Sequence, residues 1–337
     1  MKVARFRYET PDGPEIRIAV ASASAPDSWI DVRRFARLQL ERRGATASAA
    51  RRLATLLVPE SLSQAFEYGD TFLDILREAS QDTSGDTLLA PGGQLVAPLD
   101  PTLYRDFVSF EQHFVNMARV TGQPVAPVLY DLPVHYIGNH HTVVGPDAEV
   151  PWPPYAHAGM DYELELGLVI GKGGRDLHPE HAFDHVFGLT ILNDFTARDI
   201  QAREMESRLG PPKAKSFCTA IGPVIVTLDE LPTLDLRMVA RVNGAIWSEG
   251  QSGTMLWSIP ELVAWASTSE LLPAGALLGT GTVGFGSGAE LGRELHPGDT
   301  VELEVEGIGI LRNRIGHPTG RGWLPASKQR RDSENVT

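Results

Sequence analysis

The stretch MDYELELGLVIG, residues 160–171, constrains the fold of this chain more than any other. Its alternation is that of a β-strand. Tyr162, Leu164, Leu166 and Leu168 fall on one face, and Glu163, Glu165, Gly167 and Val169 on the other. The apolar face requires a core. The opposite face sets two carboxylates side by side, and burying either one unpaired costs several kcal/mol or forces it to take up a proton. Two solutions exist. An exposed edge strand leaves both glutamates in water. A buried strand needs positive charge, and a hard divalent cation, which prefers oxygen ligands, relieves both carboxylates at once.

The segments around this strand decide how far the second solution can be taken. In LNDFTARDIQ, Asp194 ends an apolar run and is expected to open a helix, which would place Asp194, Arg198 and Gln201 on one helix face. The plainer alternative is an N-cap aspartate with an i,i+4 ion pair to Arg198, worth about 0.5 kcal/mol. PPKAKSFCT offers Lys213 and Lys215 beside an expected strand, either solvated or placed to stabilise a developing oxyanion or enolate. YRDFVSFEQHFVNMARV reads as a helix entered through Asp106, with Phe110, His113, Phe114 and Met117 along one side. His113, seven residues after Asp106, is either a packed core histidine or a base. GTGTVGFGSGAEL, with Thr280, Thr282 and Glu290, is glycine-rich but lacks the lysine and spacing of a phosphate-binding P-loop.

Composition narrows the function classes. A net charge of -13 argues against general nucleic-acid binding. No apolar run reaches the roughly 18 residues of a membrane span, and MKVARFRYETPDG lacks a signal-peptide core. The single cysteine, Cys218, excludes an internal disulfide and fits a cytoplasmic protein. Residues 1–95 mix short strands with RFARLQLERRGATASAARRLATLL, expected to form one or two surface helices. The turn-rich APGGQLVAPLDP then reads as a joint, residues 102–326 as a second domain, and 327–337 as a tail. Strands outnumber helices and βαβ alternation is scarce, so the class expected is α+β, mainly β.

The ordered series YRDFVSFEQH, LPVHYIGN, DYELELG, NDFTARDIQ, AKSFCT, TGTVGFGSGAEL and HPGDTVELEVEGIGILRN, spread over residues 104–315, resembles the fumarylacetoacetate hydrolase family, in the style of its two-domain member fumarylacetoacetase. The resemblance implies a mixed β-sandwich roll with a small N-terminal β/α domain, paired as a homodimer. It implies one divalent cation, Mg2+ first, with Ca2+ or Mn2+ as alternatives. By position, Asp106, Glu163, Glu165 and Asp194 match the metal ligands, with Thr219 supporting them. His113 matches a water-activating base and Glu290 the acid that orients it. Arg198, Gln201 and Lys215 match groups that hold substrate oxygens, and Thr282 and Tyr136 match substrate contacts. Three positions depart from the pattern: Val108 and Met205 stand where the hydrolase carries substrate-binding tyrosines, and Gly122 where it carries an arginine. The substrate tail is therefore expected to be less acidic or more apolar. The activity implied first is metal-dependent hydrolysis of a C–C bond in a β-dicarbonyl, acylpyruvate- or fumarylacetoacetate-like. The alternatives are a decarboxylase, isomerase, hydratase or lyase acting on a 2-oxo acid, and a non-catalytic ligand-binding protein.

Overall fold

The computed structural model describes residues 1–328; most of the expected tail 327–337 lies outside the described residues. Helix and strand are nearly balanced, at 28% and 30%. The α+β class holds, with strand ahead only narrowly.

A large mixed sheet runs in the order Trp29–Asp31, Gly13–Ala21, Lys2–Thr10, Thr219–Thr227, Val186–Asn193, Leu164–Ile170, Ala276–Gly279, Leu103–Phe107 and His135–Ile137. A second sheet is built from Ala245–Gln251, Arg237–Val242, Thr300–Val305, Gly309–Ile315 and Glu149–Val150. The Asn-Gly hairpin between Arg237–Val242 and Ala245–Gln251 forms as its sequence demands: Asn243 and Gly244 both take positive φ, 51° and 80°. The Arg-rich segment gives two helices, Val32–Arg42 and Ala47–Leu57, capped by Asp31 and Thr46.

The joint expected near residue 95 does not interrupt the main sheet. Lys2–Thr10 pairs antiparallel with Thr219–Thr227, so the first strand of the chain is hydrogen-bonded into the same sheet as the later segments. Two apolar layers flank that sheet. One lies against the second sheet and takes Leu164, Leu166, Leu168, Leu189 and Ile191. The other lies under the N-terminal helices and takes Val3, Ile18, Phe35, Phe72, Leu76, Val169 and Leu277.

Leu164–Ile170 is therefore central and buried along its whole length, with Val186–Asn193 on one side and Ala276–Gly279 on the other. The exposed-edge solution for the two glutamates is excluded. Register then fixes what surrounds them. Gly279 pairs with Asp106, and Leu164 pairs with Asn193, the residue before Asp194. Three separate stretches of chain thus deliver carboxylates to one end of the strand pair.

Two local expectations are corrected. Asp106 does not enter a helix; it lies on the strand Leu103–Phe107, and the helix spans Glu111–Thr121. The next helix spans Arg198–Met205, four residues later than an opening at Asp194 would give, because the chain first adds the short strand Thr196–Ala197, paired with Met160–Asp161. Asp194 and Arg198 therefore share no helix face.

Candidate metal centre and active site

Asp106, Glu165 and Asp194 are buried, and each has an oxygen within 4.8 Å of an oxygen of the others. Gly279 leaves the room they need, since a Cβ there would run into the carboxylates of Asp106 and Glu165. Burial pushes the Glu165 carboxyl well above its ordinary range, and the neighbouring Asp106 and Asp194 charges push it further. Burial also raises Asp194 well above that range; Lys215 opposes the rise, and Asp106 and Glu163 add to it. Asp106 shifts the same way, again chiefly through burial.

The donors to the triad are specific. Glu165 accepts from the backbone N–H of Gly281 at 3.0 Å and from Thr282 Oγ1 at 3.1 Å. Asp194 accepts from Tyr136 at 2.8 Å and from Lys215. Asp106 Oδ2 accepts from Tyr104 at 2.9 Å. Asp106 Oδ1 is buried with no partner among the described residues. A bare, buried carboxylate oxygen within an all-oxygen cluster of mutually repelling acids fits a hard divalent cation. Asp106, Glu165 and Asp194 are the residues that would hold it.

Glu163 stands apart from this group. Its carboxylate accepts from Arg198 Nη2 at 2.8 Å and from Lys215 Nζ at 2.5 Å. Burial works against its charge, yet Lys215, Arg198 and His113 together hold it well below the ordinary carboxylate range. Lys215 itself is buried, and its ammonium donates to Glu163, Asp194 and Thr196 Oγ1. Arg198 donates to Asp161 through Nε and Nη2, at 2.9 and 2.7 Å, and to Gln201 at 3.0 Å. As placed, Arg198 and Lys215 form a cationic wall that touches the triad through Lys215 on Asp194, with the neutral Gln201 amide on Arg198.

His113 lies on the helix Glu111–Thr121, and its Nδ1 is 2.9 Å from Glu290 Oε2. Glu290 is fixed from several directions: Asn116 donates at 2.9 Å, the Phe285 N–H at 2.9 Å, and Ser287 through N–H and hydroxyl at 3.1 and 3.0 Å. Phe285 takes φ 61°, a strained setting for a bulky residue, and this aims its N–H at Glu290. Burial opposes charge on Glu290, but the His113 and Asn116 hydrogen bonds hold its carboxyl below the ordinary value. An ionised Glu290 only accepts, so His113 donates to it from Nδ1, and Nε2 is the ring nitrogen that Glu290 leaves unengaged.

The remaining expected residues are distributed as follows. Thr282 spends its hydroxyl on Glu165. Tyr136 reaches Asp194. Val108 is half-buried just beyond the strand that carries Asp106. Met205 is 53% exposed at the end of its helix. Thr219 is buried at the start of Thr219–Thr227, and none of the triad's hydrogen bonds comes from it. Gly122 ends the helix Glu111–Thr121 in the left-handed conformation, at φ 68°. Sequence reasoning missed Asp161, Tyr104, Thr196 and Asn116. Asp161 was findable, since the two-residue period that aligns Glu163 with Glu165 aligns Asp161 with both. A cavity of about 1100 Å³ lies between the N-terminal segment and the sheet and is lined by residues such as Phe66, Leu73 and Phe187; no triad acid borders it.

The family pattern described as fumarylacetoacetate (FAA) hydrolase C-terminal matches residues 102–316. The chain belongs to the fumarylacetoacetate hydrolase family. Oxaloacetate tautomerase YisK of Bacillus subtilis (strain 168) is 31% identical over 272 residues, 77% of this chain and 87% of the relative. A solved fumarylacetoacetate hydrolase from the psychrophile Exiguobacterium antarcticum superposes with a TM-score of 0.67 at 27% identity, over 93% of this chain and 99% of the other. A 5-carboxymethyl-2-hydroxymuconate delta-isomerase from Mycobacterium smegmatis shares the fold, with a TM-score of 0.63 at 23% identity over 94% and 98% of the two chains. The chain is thus similar in sequence to a tautomerase and a hydrolase and shares its fold with an isomerase.

Proposed function

We propose that this chain is a divalent-cation-dependent enzyme of 2-oxo acid enol chemistry, and that its reaction is keto–enol tautomerisation of a small oxo-diacid of the oxaloacetate type. The observation that carries the reading is the His113–Glu290 pair, held from several directions, with Nδ1 spent on Glu290 and His113 near enough to Glu163 to help hold that carboxylate ionised. The 31% identity to a tautomerase along most of both chains supports it.

Asp106, Glu165 and Asp194 would hold the cation, which when bound supplies a Lewis acid for a carbonyl oxygen. His113 Nε2 takes the proton from the carbon next to the carbonyl, and the electron pair of that C–H bond becomes the C=C of the enol. The proton is returned to oxygen in one direction and to carbon in the other, so nothing is consumed. Glu290 fixes the ring's tautomer and stabilises its protonated form. Arg198, Gln201 and Lys215 supply positive charge and donors to the side where oxyanion charge grows. Val108 and the αL Gly122 place no hydroxyl or cation near the substrate tail, which suits a short substrate.

A second reading is hydrolysis of the C–C bond of a β-dicarbonyl, favoured by the 27% identity to a fumarylacetoacetate hydrolase along nearly both chains. There His113 would take its proton from water instead of carbon. The metal-loaded protein should be offered enolic oxaloacetate, acylpyruvate and fumarylacetoacetate, with and without EDTA. EDTA-sensitive loss of enol absorbance, with deuterium entering the carbon from D2O and no fragments formed, is the expected result. Fragments without carbon exchange would establish the second reading, and neither activity would overturn both. His113→Ala should lower turnover about 10²–10⁴-fold while cation binding persists; full activity in that variant would remove His113 from the reaction.

A further inference from the structure

Asp106 differs from the other two triad acids in how its oxygens are used. Oδ2 accepts from the Tyr104 hydroxyl at 2.9 Å, with the Tyr136 hydroxyl, whose proton goes to Asp194, 3.4 Å away, while Oδ1 has no partner among the described residues. Tyr104 is not free to move away. It is 1% exposed and sits two residues before Asp106 on the same strand, so both side chains emerge on one face. Its ring packs against Gly138, where a Cβ would collide with Cδ1 and Cε1. The Tyr136 hydroxyl closes the arrangement, 3.3 Å from that of Tyr104.

Resting on the reading of the triad as a cation site, we infer that Tyr104 is a positioning residue that restricts Asp106 to one ligating oxygen and thereby selects the smaller cations, Mg2+ or Mn2+, over Ca2+. The reason is geometric. Mg2+ demands near-octahedral coordination at about 2.0–2.1 Å and is served by single oxygens, whereas Ca2+ takes 6–8 oxygens at roughly 2.3–2.6 Å and readily uses both oxygens of a carboxylate. A hydroxyl fixed on Oδ2 holds Asp106 in the one-oxygen mode. It also aims Oδ1 into the cluster, as hydrogen-bonded partners of ligating side chains commonly do. Gly138 is part of the device, because it alone leaves space for the ring that carries the hydroxyl.

Calorimetric titration of the metal-stripped full chain with Mg2+, Mn2+ and Ca2+ tests this without using turnover. Tyr104→Phe keeps the ring and removes the hydroxyl. It should weaken Mg2+ and Mn2+ binding about tenfold or more and Ca2+ binding less, so that the preference for the small cations narrows. A common shift for all three cations, or none, overturns the inference while leaving the cation site standing. Wild-type protein that binds none of the three overturns the cation site and the inference with it. A crystal structure of the wild-type chain with Mn2+ gives an answer independent of how the variant folds. Asp106 should ligate through Oδ1 alone with Oδ2 on Tyr104, and two-oxygen ligation would sink the idea.

Discussion

Two groups of buried acids lie side by side in this protein and are treated in opposite ways. Asp161 and Glu163 are saturated with donors. Asp161 takes two hydrogen bonds from Arg198 and further ones from the N–H groups of Tyr162, Gly288 and Ala289, at 2.9, 2.7 and 3.1 Å. Glu163 takes Arg198 and Lys215. The triad of Asp106, Glu165 and Asp194 receives chiefly neutral hydroxyl and N–H donors, shares one ammonium, and keeps a bare oxygen. Burial alone therefore does not separate structural from functional carboxylates. What separates them is whether the protein itself supplies the compensating charge. Where it does, the acid ties elements together: Asp161 joins the helix Arg198–Met205 to the loop around Ala289. Where it does not, compensation has to come from outside.

The largest effect that can break this comparison lies in the saturated group. Asp161→Asn leaves the buried Arg198 guanidinium, 14% exposed, with half of its ion pairing. Burial disfavours the charge on Arg198, and Glu163 and Asp161 are what restore it. The variant should lose about 3 kcal/mol of stability, read as a drop in the urea midpoint at constant slope. An unchanged midpoint would remove Asp161 from the structural class.

A smaller effect comes from pH, where Glu163 moves opposite to the triad acids, while Asp161, for all its donors, is raised by burial as they are. Glu165 and Asp194 have folded-state pKa values above those of the unfolded chain. The metal-free protein thus keeps protons that the unfolded chain gives up. The associated stability is full at acid pH and is lost as pH rises through the raised values, by at most about 1.4 kcal/mol per pH unit for each proton involved. Glu163 is depressed, so its contribution is present above the ordinary carboxylate range and is lost only on strong acidification. In EDTA, thermal midpoints should fall from mildly acidic toward alkaline pH. Saturating Mg2+, which binds the ionised acids of the folded state, should flatten that fall. A metal-free midpoint that rises with pH over the same interval contradicts the assignment of the triad as uncompensated.

How much of this was legible in the chain follows from the range of the signals. The alternation of residues 160–171 is local, and it correctly separated the face of Leu164, Leu166 and Leu168 from that of Glu163 and Glu165. The Asn243-Gly244 turn is local too, and it formed as read. The helix readings at Asp106 and Asp194 failed for one shared reason. Helical spacing was counted through residues that the sheet claims, since Asp106 pairs along Ala276–Gly279 and the chain after Asp194 pairs with Met160–Asp161. Strand pairing between segments distant in the chain leaves no trace in local periodicity. The division of the acids into saturated and unsaturated groups was equally hidden. It depends on Lys215 reaching Glu163 from 52 residues away and on Arg198 reaching Asp161 from 37.

The smallest effect sharpens the contrast most, because it has the unusual sign. Removing a charge from a well-paired buried acid destabilises a fold, but removing one from the triad should stabilise the metal-free protein. Glu165→Gln keeps the shape of the side chain. Its amide oxygen can still accept from the Gly281 N–H, and the Thr282 hydroxyl can turn to accept from the new NH2 group. The variant never forms the charge that burial, Asp106 and Asp194 penalise, so in EDTA it should gain about 1 kcal/mol over the wild type once the wild-type carboxyl begins to ionise. The gain should grow with pH, because only the wild-type carboxyl has a proton to lose. A loss comparable to that of Asp161→Asn would place Glu165 among the acids that hold the fold, and the distinction between the two groups would end there.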